Sequence, residues 1–435
     1  MKHTCLLLAL LVYSCTLSAV VKVTFPDDFR NGWEPYIGQT IEFTHPMVVV
    51  GVWYDSLTLS PERLYIPEEH AEGLADGDST AYWRNVRYNR SMTVKLTAPF
   101  YGYKVRTGSV IRRLRAKVTG ERCLLTGTTP SFAKNTPPRC RPCMSGTDMV
   151  VCAANIQNFF THLGGYAGAK TAEQQALQTL KIVKGLRSIR ADLYALCEVE
   201  KGHSAPQALC DALNAEAGRD LYAFVDNGFT DADKIMCCFV YRKDRLRPYA
   251  ETRFAYHDTV GYYHYRMMVN AFEHLHTGER FVVNLNHLRS KRGDAAYSNA
   301  VRMANTDSIL TMLDEVQRND CFGDSDILMV GDFNCYTKEQ PLQHIVRHGY
   351  ADQLMRFAPD GYSYVYRGEI GYLDRVFASP SMATQIVKVR PYHLNADTYY
   401  SCGYKRGLNN TMYRYSDHDP ILIGIRFNRS SQAHH

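Results

Sequence analysis

The sequence predicts an α+β chain in two parts: a small all-β region, then a longer region in which strands and helices alternate. Residues 22–127 carry short β-branched and aromatic runs broken by Gly, Pro, Asp and Asn, the punctuation of a barrel or sandwich. Beyond residue 147, apolar runs of strand length alternate with stretches at helical spacing. A third observation is chemical. Glu198, Asn286-His287, Gly331-Asp332-Phe333-Asn334 and Ser416-Asp417-His418-Asp419-Pro420 lie at or just past apolar runs, so strand ends deliver carboxylates, amides and imidazoles towards one cleft. That mixture suits a hard divalent cation held by oxygen ligands, a water to be activated, and imidazoles that handle phosphate charge and protons.

At 435 residues the chain is long enough for two domains, and its 45% hydrophobic and 22% charged residues exclude both a disordered chain and a membrane bundle. The formal charge of +6 favours an acidic partner without requiring one. Residues 1–19 read as a signal peptide: Lys2 and His3, an apolar run from Leu6 to Val12, then small residues to Ala19. That run is too short to span a bilayer, and no later stretch stays apolar for about 18 residues. The mature protein is therefore expected to be exported, secreted or periplasmic, with no transmembrane segment. Cleavage near Ala19 releases it, and lipoprotein anchoring through Cys15 is the less favoured alternative. Of thirteen cysteines, Cys5 and Cys15 leave with the signal, so an odd number remains to pair in an oxidising compartment.

Strand-like runs cover residues 40–53, 92–96 and 110–118. In the last, Leu114, Ala116 and Val118 alternate with Arg113, Arg115 and Lys117, which reads either as a nucleic-acid stripe or as a basic edge strand that resists aggregation. Residues 128–147 shift to Thr, Pro, Ser, Cys and Gly, the composition of a linker. Cys140 and Cys143 within it lack two further ligands at zinc spacing, so the loop is expected to take part in a disulfide. Thr171 and Gln174 form a capping box ahead of Leu177, Leu180, Val183 and Leu186, a core-facing helical stripe. A strand over residues 193–197 ends at Glu198, a helix covers 299–317, and a strand at 327–330 leads to Asp332. Cys237 and Cys238 read as buried packing in a strand, and no exposed aromatic hairpin for entering a membrane is evident.

Taken in order, Asn155 in NIQNFF, Glu198 in LCEVE, His287 in NLNHLRSK, Asp332 and Asn334 in GDFN, Asp374 in LDRVF, and Asp417 with His418 in SDHDP resemble the endonuclease/exonuclease/phosphatase superfamily. The resemblance covers about residues 148–426. Segments at 230–235, 287–291, 362–379 and 393–397 look similar to the exported bacterial nucleases of that superfamily, which resemble deoxyribonuclease I. Those enzymes often carry a small barrel of the oligonucleotide/oligosaccharide-binding (OB) type before the catalytic domain.

The resemblance implies a two-sheet αββα sandwich over residues 148–428, preceded by an OB-like domain at 22–127. It implies Mg²⁺ or Mn²⁺ held by Glu198 and Asp417 with Asn155 nearby, Ca²⁺ being a further candidate. Asp332 would position or deprotonate the attacking water, and Asn334 would orient the phosphate. His418, oriented by Asp374, and His287 would serve the phosphate oxygens or proton transfer, with Asp231 as the carboxylate partner of His287. Arg266, Arg289 and Lys291 would bind substrate phosphate. The function implied is an exported phosphodiesterase of nuclease type, a monomer acting on DNA and on RNA as a second substrate. The alternatives are a sphingomyelinase-like phospholipase C and an inactive binding protein of the same fold.

Overall fold

The computed structural model describes residues 20–428 apart from 101, 135–137, 257–263, 319–321 and 323, so the expected signal peptide and Cys15 lie outside the described residues. Residues beyond 147 fold as two facing sheets with helices outside. The six-stranded sheet runs in the order Tyr222–Phe224, Ala232–Arg242, Leu193–Lys201, Met149–Phe159, Ile421–Ile425, Ile386–Pro391. The facing sheet runs Leu246–Pro248, Met267–His274, Arg280–His287, Ile327–Asp332, Asp374–Ala378, Ala351–Asp352, with Arg253–Phe254 added beside Met267–His274.

Side-chain alternation builds the layers. On the strand Met149–Phe159, Val151 and Ala153 face the opposite sheet, while Cys152 and Ala154 face the helices Ala172–Ile189 and Ser204–Ala217. On the other sheet Val283, Leu285, Leu328 and Val330 face inwards, and Val282, Ile327 and Met329 pack under Ala295–Arg318 and Gln340–Arg347. Near-continuous apolar runs are what strands buried on both faces require.

The same alternation aims the polar strand ends. Asn155, His287, Asp332 and Asp374 continue the inward parity of Ala153, Leu285, Val330 and Val376, so each points into the mouth between the sheets. His287 pairs with Asp332 and Asp332 with Asp374 in register, which lines up three of these side chains across adjacent strands. The strand holding Asp332 approaches its neighbour so closely that a Cβ on Gly331, at φ +127, would lie 2.0 Å from the Asn286 carbonyl oxygen.

Residues 20–125 form an eight-stranded sheet around their own core of Phe25, Trp33, Ile41, Val49, Leu57, Leu96 and Val118. Three expectations need correction here. The region is not all-β, because the helix Thr80–Ser91 lies within it. The basic strand Arg115–Gly120 is not an edge, for it pairs on both sides, and Arg113 and Arg115 both converge on Glu42 instead of presenting a bare cationic stripe. The turn between Met47–Val52 and Ser56–Ser60 does expose aromatic rings, Trp53 and Tyr54.

In the second half, the capping residue is as read: Thr171 accepts from the Gln174 backbone N–H, while Gln174 accepts from Lys170. The stripe is shifted, however. Val183 and Leu186 are buried as expected, but Leu177 is half-buried and Leu180 exposed, and the buried face also takes in Gln178, Lys181, Ile182, Gly185 and Ile189. Cys140 and Cys143 are exposed free thiols, not a disulfide, and Cys237 and Cys238 are buried. None of the described helices is long and apolar enough to cross a membrane.

The Gly331 contact yields a stability test. Gly331→Ala is expected to cost more than ~2 kcal/mol, because a strained φ and a backbone clash coincide. Gly278→Ala, whose Cβ would meet open space at φ +74, should cost only about 1 kcal/mol. Thermal unfolding of the two variants measures the difference.

Candidate active site

The mouth between the sheets holds a compact set of ionisable groups. Asn155 donates one amide hydrogen to Glu198 Oε1 at 3.0 Å and the other to Asp332 Oδ2 at 3.1 Å, tying two carboxylates together. His287 Nε2 lies 3.8 Å from Glu198 Oε1 and 3.7 Å from Asp332 Oδ2. His418 Nδ1 donates to Asp374 Oδ2 at 2.8 Å and presents Nε2 at 3.8 Å from Asp332 Oδ2. Asp332 is thus shared by an amide and two imidazoles, while its second oxygen accepts the Asn334 backbone N–H at 2.9 Å.

Glu198 reaches this set by a local irregularity. Cys197 faces inwards and Val199 faces the helices, so one residue is inserted between them, and Glu198 takes φ +65 there. The pairing with Ala232–Arg242 shifts register at that point. A bulge of this kind re-aims one side chain, and here it turns a carboxylate into the mouth.

Burial dominates the electrostatics. It pushes the Asp332 carboxyl up to about 7, with His418 opposing and Asp374 and Glu198 adding to the rise. Glu198 is raised by burial first and then by the charge of Asp417. Burial, then Arg266 and His418, hold His287 well below its usual range, as a neutral imidazole. Burial also works against a proton on His418, but Asp374 and Asp332 outweigh it and keep the ring cationic. One neutral and one charged imidazole therefore flank the same carboxylate.

The ligand atoms of Glu198, His287 and Asp332 lie within 4.8 Å of one another. Two ionised carboxylates that close repel each other in a low-dielectric mouth, and their hard oxygens fit a divalent cation such as Mg²⁺ or Mn²⁺. Asp417 is near enough for its charge to raise Glu198.

The structure does not place every expected residue in this set. Asp231 is not beside His287: it accepts the backbone N–H groups of His203 and Ser204 and the Ser204 hydroxyl, at the start of the helix Ser204–Ala217. An anion suits a helix N-terminus, which is the physical reason for its conformation. His287 Nδ1 is buried with no hydrogen-bond partner among the described residues. Lys291 pairs with Glu339 at 2.5 Å, and Arg289 donates to Ser298 Oγ and lies 4.9 Å from the Tyr297 ring centre. Asn334 gives one amide hydrogen to the Leu288 carbonyl, which fixes its loop. Arg266 stays at the mouth, donating to the Ile235 carbonyl and opposing the charge of His287.

Two supports were not readable from sequence. The Tyr364 ring packs against His418, with centres 4.7 Å apart. Glu69, from the N-terminal half, is buried between the two segments that hold the carboxylates. Its Oε1 accepts the Tyr372 N–H at 2.6 Å, two residues before Asp374, and its Oε2 accepts the Thr337 N–H at 3.3 Å, just after the Asp332–Asn334 turn. Beside it, Leu64–Tyr65 adds as a parallel strand to Glu369–Gly371, whose hairpin partner Tyr364–Tyr366 carries the ring on His418. Glu69 comes from a segment with no sequence signature, and Tyr364 from the 362–379 segment of the resemblance, in which nothing marks its ring for His418; tertiary pairing brings both here.

Residues 152–418, more than half of the chain, match the Endonuclease/Exonuclease/phosphatase family, and the chain belongs to that family. It is therefore a family of hydrolases acting on phosphoesters, generally with a divalent metal, into which this mouth fits. Among solved structures, an endonuclease/exonuclease/phosphatase from Bacteroides vulgatus is similar at 14% identity and TM-score 0.46, over 64% of this chain and 99% of that one. A family protein from Bacteroides thetaiotaomicron is similar at 17% identity and TM-score 0.45, over 64% and 98%. A functionally unknown conserved protein from Enterococcus faecalis is similar at 14% identity and TM-score 0.44, over 64% and 100%. No curated protein matches the chain.

Two outcomes separate structural from catalytic roles. Asp231→Ala should cost about 1 kcal/mol of stability through the lost helix contact and leave kcat unchanged. Glu69→Ala should lower kcat at least ~10-fold with KM little changed, since small displacements of positioned groups weigh heavily on rate. Glu69→Gln, which keeps an acceptor for Tyr372, should recover much of that loss. Steady-state kinetics and thermal unfolding of the three variants give the comparison.

Proposed function

We propose that the protein is an exported, divalent-metal-dependent phosphodiesterase of nuclease type, cleaving DNA and, as a second substrate, RNA. The single observation that supports it is the shared carboxylate: Asp332 within 4 Å of a neutral His287 and a cationic His418, with Asn155 holding it against Glu198. Export rests on residues 1–19, and a monomeric state is part of the same proposal.

Each side chain then has a task. Asp332, with an affinity for protons near neutrality, accepts a proton from the attacking water. His418 Nε2–H, kept protonated by Asp374, donates to a phosphate oxygen as negative charge grows. His287 Nε2 orients the water or a phosphate oxygen from the opposite side, and Arg266 offsets phosphate charge at the rim. Glu198, Asp417 and Asn155 would hold Mg²⁺ or Mn²⁺ with Asp332 beside them, and the bound ion would polarise the phosphoryl oxygen and steady the leaving alkoxide.

A phospholipase C reading keeps one supporting observation, the exposed turn at Trp53 and Tyr54. Purified protein assayed with Mg²⁺ on plasmid DNA, RNA and sphingomyelin vesicles in parallel separates the two. DNA cleavage is expected, abolished by chelation and restored by Mg²⁺ or Mn²⁺. Turnover of vesicles with no cutting of either nucleic acid, or full activity in excess chelator, contradicts the proposal. His418→Ala should lower kcat by at least ~100-fold, the contribution of one positioned proton donor.

A further inference from the structure

The turn that joins Met47–Val52 to Ser56–Ser60 holds Trp53 and Tyr54 in solvent, 56% and 77% exposed. Large rings side by side at a turn do not serve a core, and they are not isolated. The Tyr54 hydroxyl meets the Tyr400 hydroxyl at 2.8 Å, a contact between the two halves of the chain. The Arg406 guanidinium lies 5.7 Å from the Tyr400 ring centre and beside the Tyr54 hydroxyl. Tyr366 is 48% exposed, with the Arg367 guanidinium 5.2 Å from its ring centre.

These rings stand on adjoining segments, and one of the segments reaches the active site. A Cβ on Gly368 would lie 2.9 Å from the Val50 carbonyl oxygen, so the hairpin carrying Tyr364 and Tyr366 sits directly on the strand that leads to Trp53. Tyr364 and Tyr366 are two apart on one strand and share a face. Tyr364 packs on His418. On these adjoining segments exposed rings are paired with guanidinium groups, Tyr366 with Arg367 and Tyr400 with Arg406.

We propose that these rings are a track for unpaired nucleotides, so that the substrate class of the site is single-stranded or locally melted polynucleotide. This rests on the nuclease reading above and narrows it. Every base offers a π-face, so stacking on Trp53, Tyr54, Tyr366 and Tyr400 tolerates any sequence, while Arg367 and Arg406 match phosphate oxygens with a planar fork. A duplex keeps its base faces inside the stack and has none to offer. The ring edges carry hydroxyls bonded to one another and flanked by guanidinium, which suits a strand bearing phosphates better than acyl chains.

The test uses the full-length protein and a Trp53→Ala, Tyr54→Ala double variant at the exposed turn. Three readouts are compared: fluorescence anisotropy with labelled oligo(dT) and with a duplex of equal length, Mg²⁺-dependent turnover of bis(p-nitrophenyl) phosphate, and co-sedimentation with phosphatidylcholine and phosphatidylserine vesicles. The small ester is too short to reach the exposed rings, so its turnover reports an intact site. The proposal predicts that the wild type prefers oligo(dT) over duplex and that the double variant binds oligo(dT) at least ~10-fold more weakly, with turnover of the ester unchanged. Equal oligo(dT) affinity in both proteins overturns the track alone and leaves the nuclease reading standing. Binding of neither nucleic acid by the wild type removes both. Loss of vesicle binding in the variant, with oligo(dT) affinity intact, assigns the rings to a membrane instead.

Discussion

The structure turns on a crowd of carboxylates that would not choose each other's company in water. Asp332 and Asp374 sit at neighbouring strand ends of one sheet, and Glu198 faces them from a bulge in the other, in a mouth of low dielectric, with Asp417 close to Glu198. Desolvation and mutual repulsion both favour protonation there, which is why Asp332 is pushed up to about 7. The fold holds the arrangement against that tendency. Asn155 bonds two of the carboxylates at once, Asp374 is matched by a cationic His418, and packed strands on both sheets leave the backbone little freedom to spread them. Strain kept by a surrounding structure in this way is a common property of sites that must react.

The N-terminal half takes part in this constraint. It is not a module tethered by a loose linker, because its strand Leu64–Tyr65 joins the hairpin beside His418 and its Glu69 lies between the segments bearing Asp332 and Asp374. A second buried carboxylate, Asp397, gathers Arg63 and Thr107 from the first half and Tyr362 from the second. Buried ionic contacts of this sort are weak evidence for added stability but strong constraints on geometry, since an unmet partner is costly. The same junction carries the hairpin whose Tyr364 packs on His418 and whose Tyr366 is exposed beside it.

Much of the site was legible because its residues end apolar runs. Asn155, His287, Asp332 and Asp374 follow from strand parity once the strands are found, and short motifs mark where the strands stop. Family resemblance supplied the two facing sheets, which periodicity alone could not distinguish from other mixed folds. What escaped was tertiary. The resemblance pairs Asp231 with His287, yet Asp231 lies at the start of a helix. The bulge that turns Glu198 inwards leaves no mark in composition. Leu180 fits a helical stripe on paper, but the helix is rotated so that Gln178 takes the buried position by donating to the carbonyls of Gln157 and Asn158. Glu69, nearly 270 residues from Thr337 in sequence, could be found only by folding the chain.

The central claim is that the carboxylate crowd exists to hold a cation, and thermal unfolding of the metal-free protein titrated with Mg²⁺ tests it without relying on catalysis. Ligand binding to the folded state alone raises the unfolding temperature with concentration. The account predicts a saturable rise for the wild type that is absent in Glu198→Gln, whose metal-free form should be at least as stable as the wild type because one repelling charge is gone. An unfolding temperature unmoved by Mg²⁺ and Mn²⁺, or an equal rise in Glu198→Gln, would contradict it.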